Sequence, residues 1–195
     1  MTTTGPVVVL VGPPGSGKTS VGRALAKRLG RPLRDTDKDI ETAAGRTIPD
    51  IFVTDGEPVF RAMERQAVAA ALLEHDGVLS LGGGSILAEQ TRGLLRQHTV
   101  VFLSLTMPTG VRRTGLASNR PLLTGVNPRA TYKALLDARL PLYEEVATLA
   151  VQTDTLTIEE VANVIIDKLG LVETKASEHR RRASAEERNE PGVDQ

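Results

Sequence analysis

Val7-Val-Val-Leu-Val11, followed without a break by Gly12-Pro-Pro-Gly-Ser-Gly-Lys-Thr19, is the stretch whose reading decides the fold. The first five residues are all β-branched or aliphatic, as required of a strand covered on both faces in a parallel sheet. The next eight match the phosphate-binding pattern of glycine, four residues, glycine, lysine and a hydroxyl residue. Small residues there let successive backbone N–H groups converge on phosphate oxygens, and the helix that follows aims its positive dipole end at them. Lys18 reaches the β- and γ-phosphates, and the Thr19 hydroxyl suits Mg²⁺. The bland alternative is a glycine turn with a surface lysine. Context argues against it, because Val21, Leu25 and Leu29 recur every four residues until Gly30 stops the pattern, which makes strand, loop and amphipathic helix contiguous. Nucleotide binding is the expectation, with Gly15, Ser16, Gly17, Lys18, Thr19 and Ser20 around the phosphates.

Outward from this core the same alternation continues. Leu33–Asp37, Val78–Leu81, Val100–Leu105 and Leu149–Gln152 read as four more strands, with helical patterns between them. The longest helix runs from about Pro58 to Glu74, with Pro58 suited to a first turn. Another starts at Thr157, where Thr157 and Glu160 form a capping box ahead of Val161, Val164, Ile165 and Leu169. Strands alternating with helices predict a doubly wound α/β sheet. Residues 115 to 128, GLASNRPLLTGVNP, are long for a simple connection and predict a mobile lid. Beyond Gly170 the apolar period ends, and the charge-rich 171–195 predict a disordered tail.

Composition narrows the class. At 195 residues, one domain over 1–170 is the default. Lys plus Arg and Asp plus Glu both number 24, so no global basic field draws the chain onto nucleic acid or anionic membrane. The absence of cysteine excludes disulfides, thiolate metal sites and thiol nucleophiles, and the apolar runs are too short to span a bilayer. A cytoplasmic location is expected.

Several other residues offer chemistry with alternatives still open. Asp35-Thr36-Asp37 stands at the carboxyl end of the predicted second strand, where open α/β sheets assemble ligand crevices. On an extended chain both carboxylates point to one side, one for hydrated Mg²⁺ and one for an acceptor hydroxyl; an acidic helix-capping turn reads equally well. Arg61 has Glu57 and Glu64 at ion-pair spacing, which alone suggests a solvated salt bridge. The run Ser80-Leu-Gly-Gly-Gly84 exposes main-chain amides to a ligand, or forms a tight turn. Arg120 and Arg139 are suited to phosphate or carboxylate, though each alone reads as a surface arginine. His75, His98 and His179 have no partner pattern.

Taken together, GSGKT at Gly15–Thr19, DTD at Asp35–Asp37, Phe60-Arg61, LGGG at Leu81–Gly84, RPLL at Arg120–Leu123 and RLPLY at Arg139–Tyr143 resemble shikimate kinases in order and spacing, over residues 6 to 170. That resemblance implies a three-layer α/β/α P-loop kinase fold with a central five-stranded parallel sheet and a lid at about 115–127. It implies ATP-dependent phosphorylation of the shikimate 3-hydroxyl, giving 3-phosphoshikimate and ADP on the route to chorismate and the aromatic amino acids. Under it Lys18, Asp37 and Arg120 are catalytic. Asp37 meets the ring hydroxyls, Arg61 and Arg139 clamp the carboxylate, and Gly83 contacts the acceptor through its N–H, with Gly82 and Gly84 beside it. Arg120 swings in to the phosphates, Arg113 lies against adenine, and Thr19, Asp35 and the Ser80 region stand near Mg²⁺. The implied partners are ATP and shikimate acting on a monomer, with no nucleic acid and no membrane.

Two departures stand out. Thr19 replaces the serine often found after the lysine, and Thr155-Leu156-Thr157 lacks an arginine that some members place on the adenine side. The rival expectations are another small-metabolite or nucleotide kinase, such as a gluconate kinase, and a nucleotide-binding regulatory module without catalysis.

Overall fold

The structure, a computed structural model, describes residues 5–114 and 127–174. Five strands, β1 (Val8–Val11), β2 (Leu33–Asp35), β3 (Val78–Ser80), β4 (Val100–Ser104) and β5 (Leu149–Gln152), lie in the order β2-β3-β1-β4-β5. Every pairing is parallel, and Val9 of β1 stands opposite Leu79 on one side and Val100 on the other. The helices are α1 (Lys18–Leu29), α2 (Thr36–Ala44), α3 (Ile48–Thr54), α4 (Glu57–Glu74), α5 (Glu89–Leu95), α6 (Met107–Thr114), α7 (Pro128–Val146) and α8 (Ile158–Leu169). A 3-10 turn spans Ser85–Leu87.

The layering follows from side-chain alternation. Val8 and Leu10 pack on one face with Val21 and Leu25 of α1 and Val161 and Ile165 of α8. Val9 and Val11 pack on the other with Val68 and Leu72 of α4, Leu95 of α5 and Tyr143 of α7. Successive residues of a strand point to opposite faces, so a central strand with helices on both sides has no position for a polar side chain. Beyond the β2 edge, Ile40, Ile51 and Phe60 form a small separate core joining α2, α3 and α4.

Element ends obey local chemistry. Thr157 accepts from the Glu160 N–H while the Glu160 carboxylate returns to the Thr157 N–H, the capping box expected at α8, and α1 ends on Gly30 at φ 61°. The Pro58 helix begins one residue earlier than expected, at Glu57. The chief correction is at β2. The strand ends at Asp35 rather than Asp37, because the Asp35 carboxylate accepts from the Asp37 N–H and starts α2 at Thr36. The apolar strands β1, β3 and β4 are each one residue shorter than predicted, since a terminal residue has fewer ladder partners.

Past Gly170 the described chain runs back along α1. The Thr174 N–H donates to the Arg28 carbonyl at 2.9 Å, and Arg28 Nε donates to Glu173 Oε1 at 2.8 Å. The predicted lid from 115 to 126, Arg120 within it, and the remainder of the predicted tail from 175 lie outside the described residues. Among the described residues no helix is long and apolar enough to cross a membrane.

Candidate active site

The carboxyl ends of β1, β2 and β3 open into one cleft of about 270 Å³ lined by Pro14, Gly15, Gly17, Lys18, Thr19, Ser20, Asp35, Asp37, Ser80, Leu81, Gly83 and Arg113. Gly15 and Gly17 hold φ of 83° and 90°, a region that side chains with Cβ avoid, and this lets the loop double back before α1. The helix α1 opens on Gly17 with no side-chain cap, so its first N–H groups lack intrahelical acceptors and face the cleft where a phosphate would take them. Lys18 Nζ folds over the loop and donates to the carbonyls of Gly12 at 2.8 Å and Pro13 at 3.1 Å. The Ser16 hydroxyl is buried within the loop without a hydrogen-bond partner.

The capping reading of the DTD motif holds, and both of its carboxylates also line the cleft. Asp35 Oδ1 accepts from the Asp37 N–H at 3.1 Å, which caps α2, while Asp35 Oδ2 accepts from the Thr19 hydroxyl at 3.1 Å. The extended-chain geometry expected for the two carboxylates is corrected, since Asp37 lies in the first turn of a helix. They still line the same cleft. Burial pushes the Asp37 carboxyl up to about 6, with Asp35 adding to the rise and Lys18 opposing it. Two carboxylates beside one phosphate loop are thereby unlike, one a hydrogen-bonded cap and the other poised to change protonation near neutrality.

Of the three glycines Gly83 lines the cleft, and Gly82 and Gly84 flank it in the wall with charged side chains packed against them. A Cβ on Gly82 would overlap Asp37 Oδ1 and come within 2.9 Å of Glu64 Oε1, and one on Gly84 would overlap the Arg61 guanidinium, with Cζ at 2.8 Å. The run is therefore a close-approach surface rather than only a turn. Arg61 does pair with Glu57 at 3.0 Å and Glu64 at 2.7 Å, yet its side chain is only 15% exposed. The reading as a solvated surface pair is thus corrected: the spacing was right, and packing against Gly84 removes the solvent. Burial alone would lower the Arg61 pKa, but the Glu64 and Glu57 carboxylates outweigh it and hold the guanidinium above its ordinary value. Arg139, at 7% exposure, is likewise no surface arginine. Its Nη1 donates to the Gly83 carbonyl at 3.2 Å.

Arg113, on the last turn of α6, donates from Nη1 to Thr153 Oγ1 at 2.9 Å and from Nη2 to the Thr153 carbonyl at 2.5 Å. These bonds hold its guanidinium on the turn after β5, while its Cβ stands close to Gly15 of the phosphate loop. The Thr155–Thr157 segment continues from that turn into the cap of α8. Of the expected site residues, then, all but Arg120 are among the described residues and border the cleft or the groups that wall it.

Sequence reasoning missed three residues. Glu64 is 3% exposed and accepts from both Arg61 Nη1 at 2.7 Å and Ser85 Oγ at 3.0 Å. Its only sequence signal was a charge three residues after Arg61. Tyr132 and Tyr143, both on α7, donate to main-chain carbonyls of the two loops, at Pro14 and Gly83 respectively. Tyr143 lies within the RLPLY run, where nothing local marks its partner, and Tyr132 carries no sequence signal.

A sequence model described as shikimate kinase matches residues 14–170. A shikimate kinase of Saccharopolyspora erythraea is 62% identical over 164 residues, covering 84% of this chain and 94% of that one. One from Streptomyces avermitilis is 58% identical over 168 residues, covering 86% and 98%. Among solved structures, shikimate kinase from Acinetobacter baumannii in complex with shikimate superposes with a TM-score of 0.82 at 39% identity, covering 86% of this chain and 93% of that one. With a family model matched over residues 14–170 and a backbone superposed over 86% of its length, this chain belongs to the shikimate kinase family.

Proposed function

We propose that the chain transfers the γ-phosphoryl group of ATP to the 3-hydroxyl of shikimate, giving 3-phosphoshikimate and ADP. The observation that carries this reading is a single cleft with the lysine-bearing loop on one side and Asp37 on the other. Arg61 and Arg139 pack against the glycine wall behind it. A carboxylate with several hydroxyls needs guanidinium groups for its anion and a carboxylate plus main chain for its hydroxyls, and that set is present.

Phosphoryl transfer has a loose transition state, so alignment and charge neutralisation dominate over base strength. In the proposed step the acceptor oxygen bonds to the γ-phosphorus as the bond from that phosphorus to the β–γ bridging oxygen breaks, and the electron pair leaves on ADP. Lys18 exchanges its contacts with Gly12 and Pro13 for phosphate oxygens. Asp37 orients the hydroxyl and takes its proton late, a task suited to a carboxyl whose pKa lies at about 6. Arg61 and Arg139 hold the acceptor carboxylate, and Gly83 supplies a backbone N–H. Arg113 flanks the base, and Arg120 completes the charge on the phosphates.

The donor set beside the loop fits Mg²⁺. Thr19 Oγ1 and Asp35 Oδ2 are hard oxygens already in contact at the cleft, suited to an ion that keeps waters and phosphate oxygens rather than taking a full protein cage. Held there by Thr19 and Asp35, that ion would offset the negative charge of the phosphates during transfer. The balanced charge of 24 basic and 24 acidic residues supports small-molecule ligands over nucleic acid, and the lack of cysteine fits a cytoplasmic enzyme.

The test is ADP release coupled to NADH oxidation, with shikimate, gluconate or a nucleoside monophosphate as acceptor. Release that requires shikimate is expected. Equal release with gluconate, or none with any acceptor, would overturn the assignment in favour of a different kinase or a non-catalytic module.

A further inference from the structure

The helix α7 carries two buried tyrosines eleven residues apart, Tyr132 at 1% and Tyr143 at 0% exposure. At 100° per residue eleven steps fall within about 20° of three full turns, so both leave the same face of the helix, about 16 Å apart along its axis. Their hydroxyls serve different loops. Tyr132 Oη donates to the Pro14 carbonyl at 2.7 Å, in the middle of the phosphate loop. Tyr143 Oη donates to the Gly83 carbonyl at 2.6 Å, in the middle of the glycine wall, alongside Arg139 Nη1.

Those two loops also touch each other. A Cβ on Gly83 would stand 3.5 Å from Pro14 Cδ. Both rings are seated by neighbours: any Cβ on Gly110 of α6 would overlap Tyr132, and Tyr143 stacks on Phe102 with centroids 4.9 Å apart. Burial pushes the Tyr143 phenol well above its ordinary range, so it remains a donor at every working pH.

We propose that α7 sets the distance between phosphoryl donor and acceptor, with Tyr132 and Tyr143 as positioning residues that hold the phosphate loop and the glycine wall in one register. Neither hydroxyl touches a reacting atom. Each fixes a peptide whose neighbouring groups face a substrate, and both are anchored to the same rigid element. Transfer between two bound ligands depends steeply on their separation, so a shared anchor has a function that two separate ones would lack. The simpler account is that buried phenols need some acceptor. It predicts that losing either hydroxyl changes stability and nothing else.

Tyr132→Phe and Tyr143→Phe keep the rings and remove only the hydroxyls. Tyr132→Phe is expected to raise the KM for ATP by about three- to tenfold, the effect of one hydrogen bond, with the KM for shikimate unchanged. Tyr143→Phe is expected to do the reverse, and both should lower kcat. The acceptor arm rests on the shikimate reading above, whereas calorimetric titration of Tyr132→Phe with MgADP needs no turnover and tests the nucleotide arm even if shikimate proves not to be the acceptor. Lowered melting temperatures with both KM values, kcat and MgADP affinity unchanged would overturn the proposal. So would a loss of ATP and shikimate affinity to the same degree in either variant.

Discussion

Replacing Asp37 by asparagine should make the nucleotide-free protein more stable while removing its activity. The carboxyl pKa moves from the ordinary 3.8 to about 6, chiefly because burial disfavours the charged form, with Asp35 repelling it further. Below pH 3.8 both folded and unfolded chains carry the proton, and the charge has no effect on folding. Between the two values the unfolded chain releases its proton while the folded one retains it, so stability falls as pH rises; above about 6 the penalty is complete. A shift of about two units at 1.36 kcal/mol each amounts to no more than about 3 kcal/mol, an upper figure because the largely buried Asp37 side chain keeps some contact with water in the cleft. Urea unfolding of wild type and Asp37→Asn at intervals from pH 4 to 8 measures it. The variant should match wild type near pH 4 and gain a lead that grows to a plateau above pH 6.5. A lead that is flat across that range, or a variant less stable at pH 8, would refute the account of Asp37 as a charge held in an unfavourable site for catalysis.

The same titration should appear in turnover, with kcat/KM for shikimate falling on the acid side around pH 6 rather than near 4, and an acid limb near 4 would separate Asp37 from the proton transfer. Lys18→Ala should reduce kcat by several orders of magnitude with an unchanged circular dichroism spectrum; near-normal transfer would mean that the loop has been misread. Arg139→Ala should raise the shikimate KM by about 10- to 100-fold, the range for a charge-assisted hydrogen bond, with little change in ATP KM. Gly84→Ala, at an ordinary φ of −99°, strains no backbone but displaces the Arg61 guanidinium, so it should raise shikimate KM and leave MgADP binding intact by calorimetry.

What the sequence made legible was local. The β1 strand, its loop and α1 announce themselves in consecutive residues, and so does the Thr157 box, because each feature is complete within a few positions. Asp35 and Asp37 resisted because a helix cap and a cleft carboxylate demand the same residue at the same place, and Asp35 caps α2 while lining the cleft beside Thr19. Arg61 had a visible pairing with Glu57 and Glu64, but the glycine that shields it stands more than twenty residues later. Tyr132 meets a carbonyl 118 residues away and Tyr143 one 60 residues away, and no periodicity within α7 carries information about such partners. The short α2, α3, α5 and α6 merged into undivided helical stretches for the same reason: with one to three turns each, tertiary packing rather than pattern length sets their limits.

The return of residues 171–174 along α1 limits how far the chain can be shortened. Arg28 is 8% exposed, and the carboxylate nearest its guanidinium belongs to Glu173, with Glu159 farther off at 3.8 Å. Ending the polypeptide at Gly170, where the helical pattern stops, would remove the nearest carboxylate from that cation and uncover the end of the very helix whose first turn presents its amides to phosphate. A shortened chain that keeps both contacts with Arg28 therefore has to extend through Thr174.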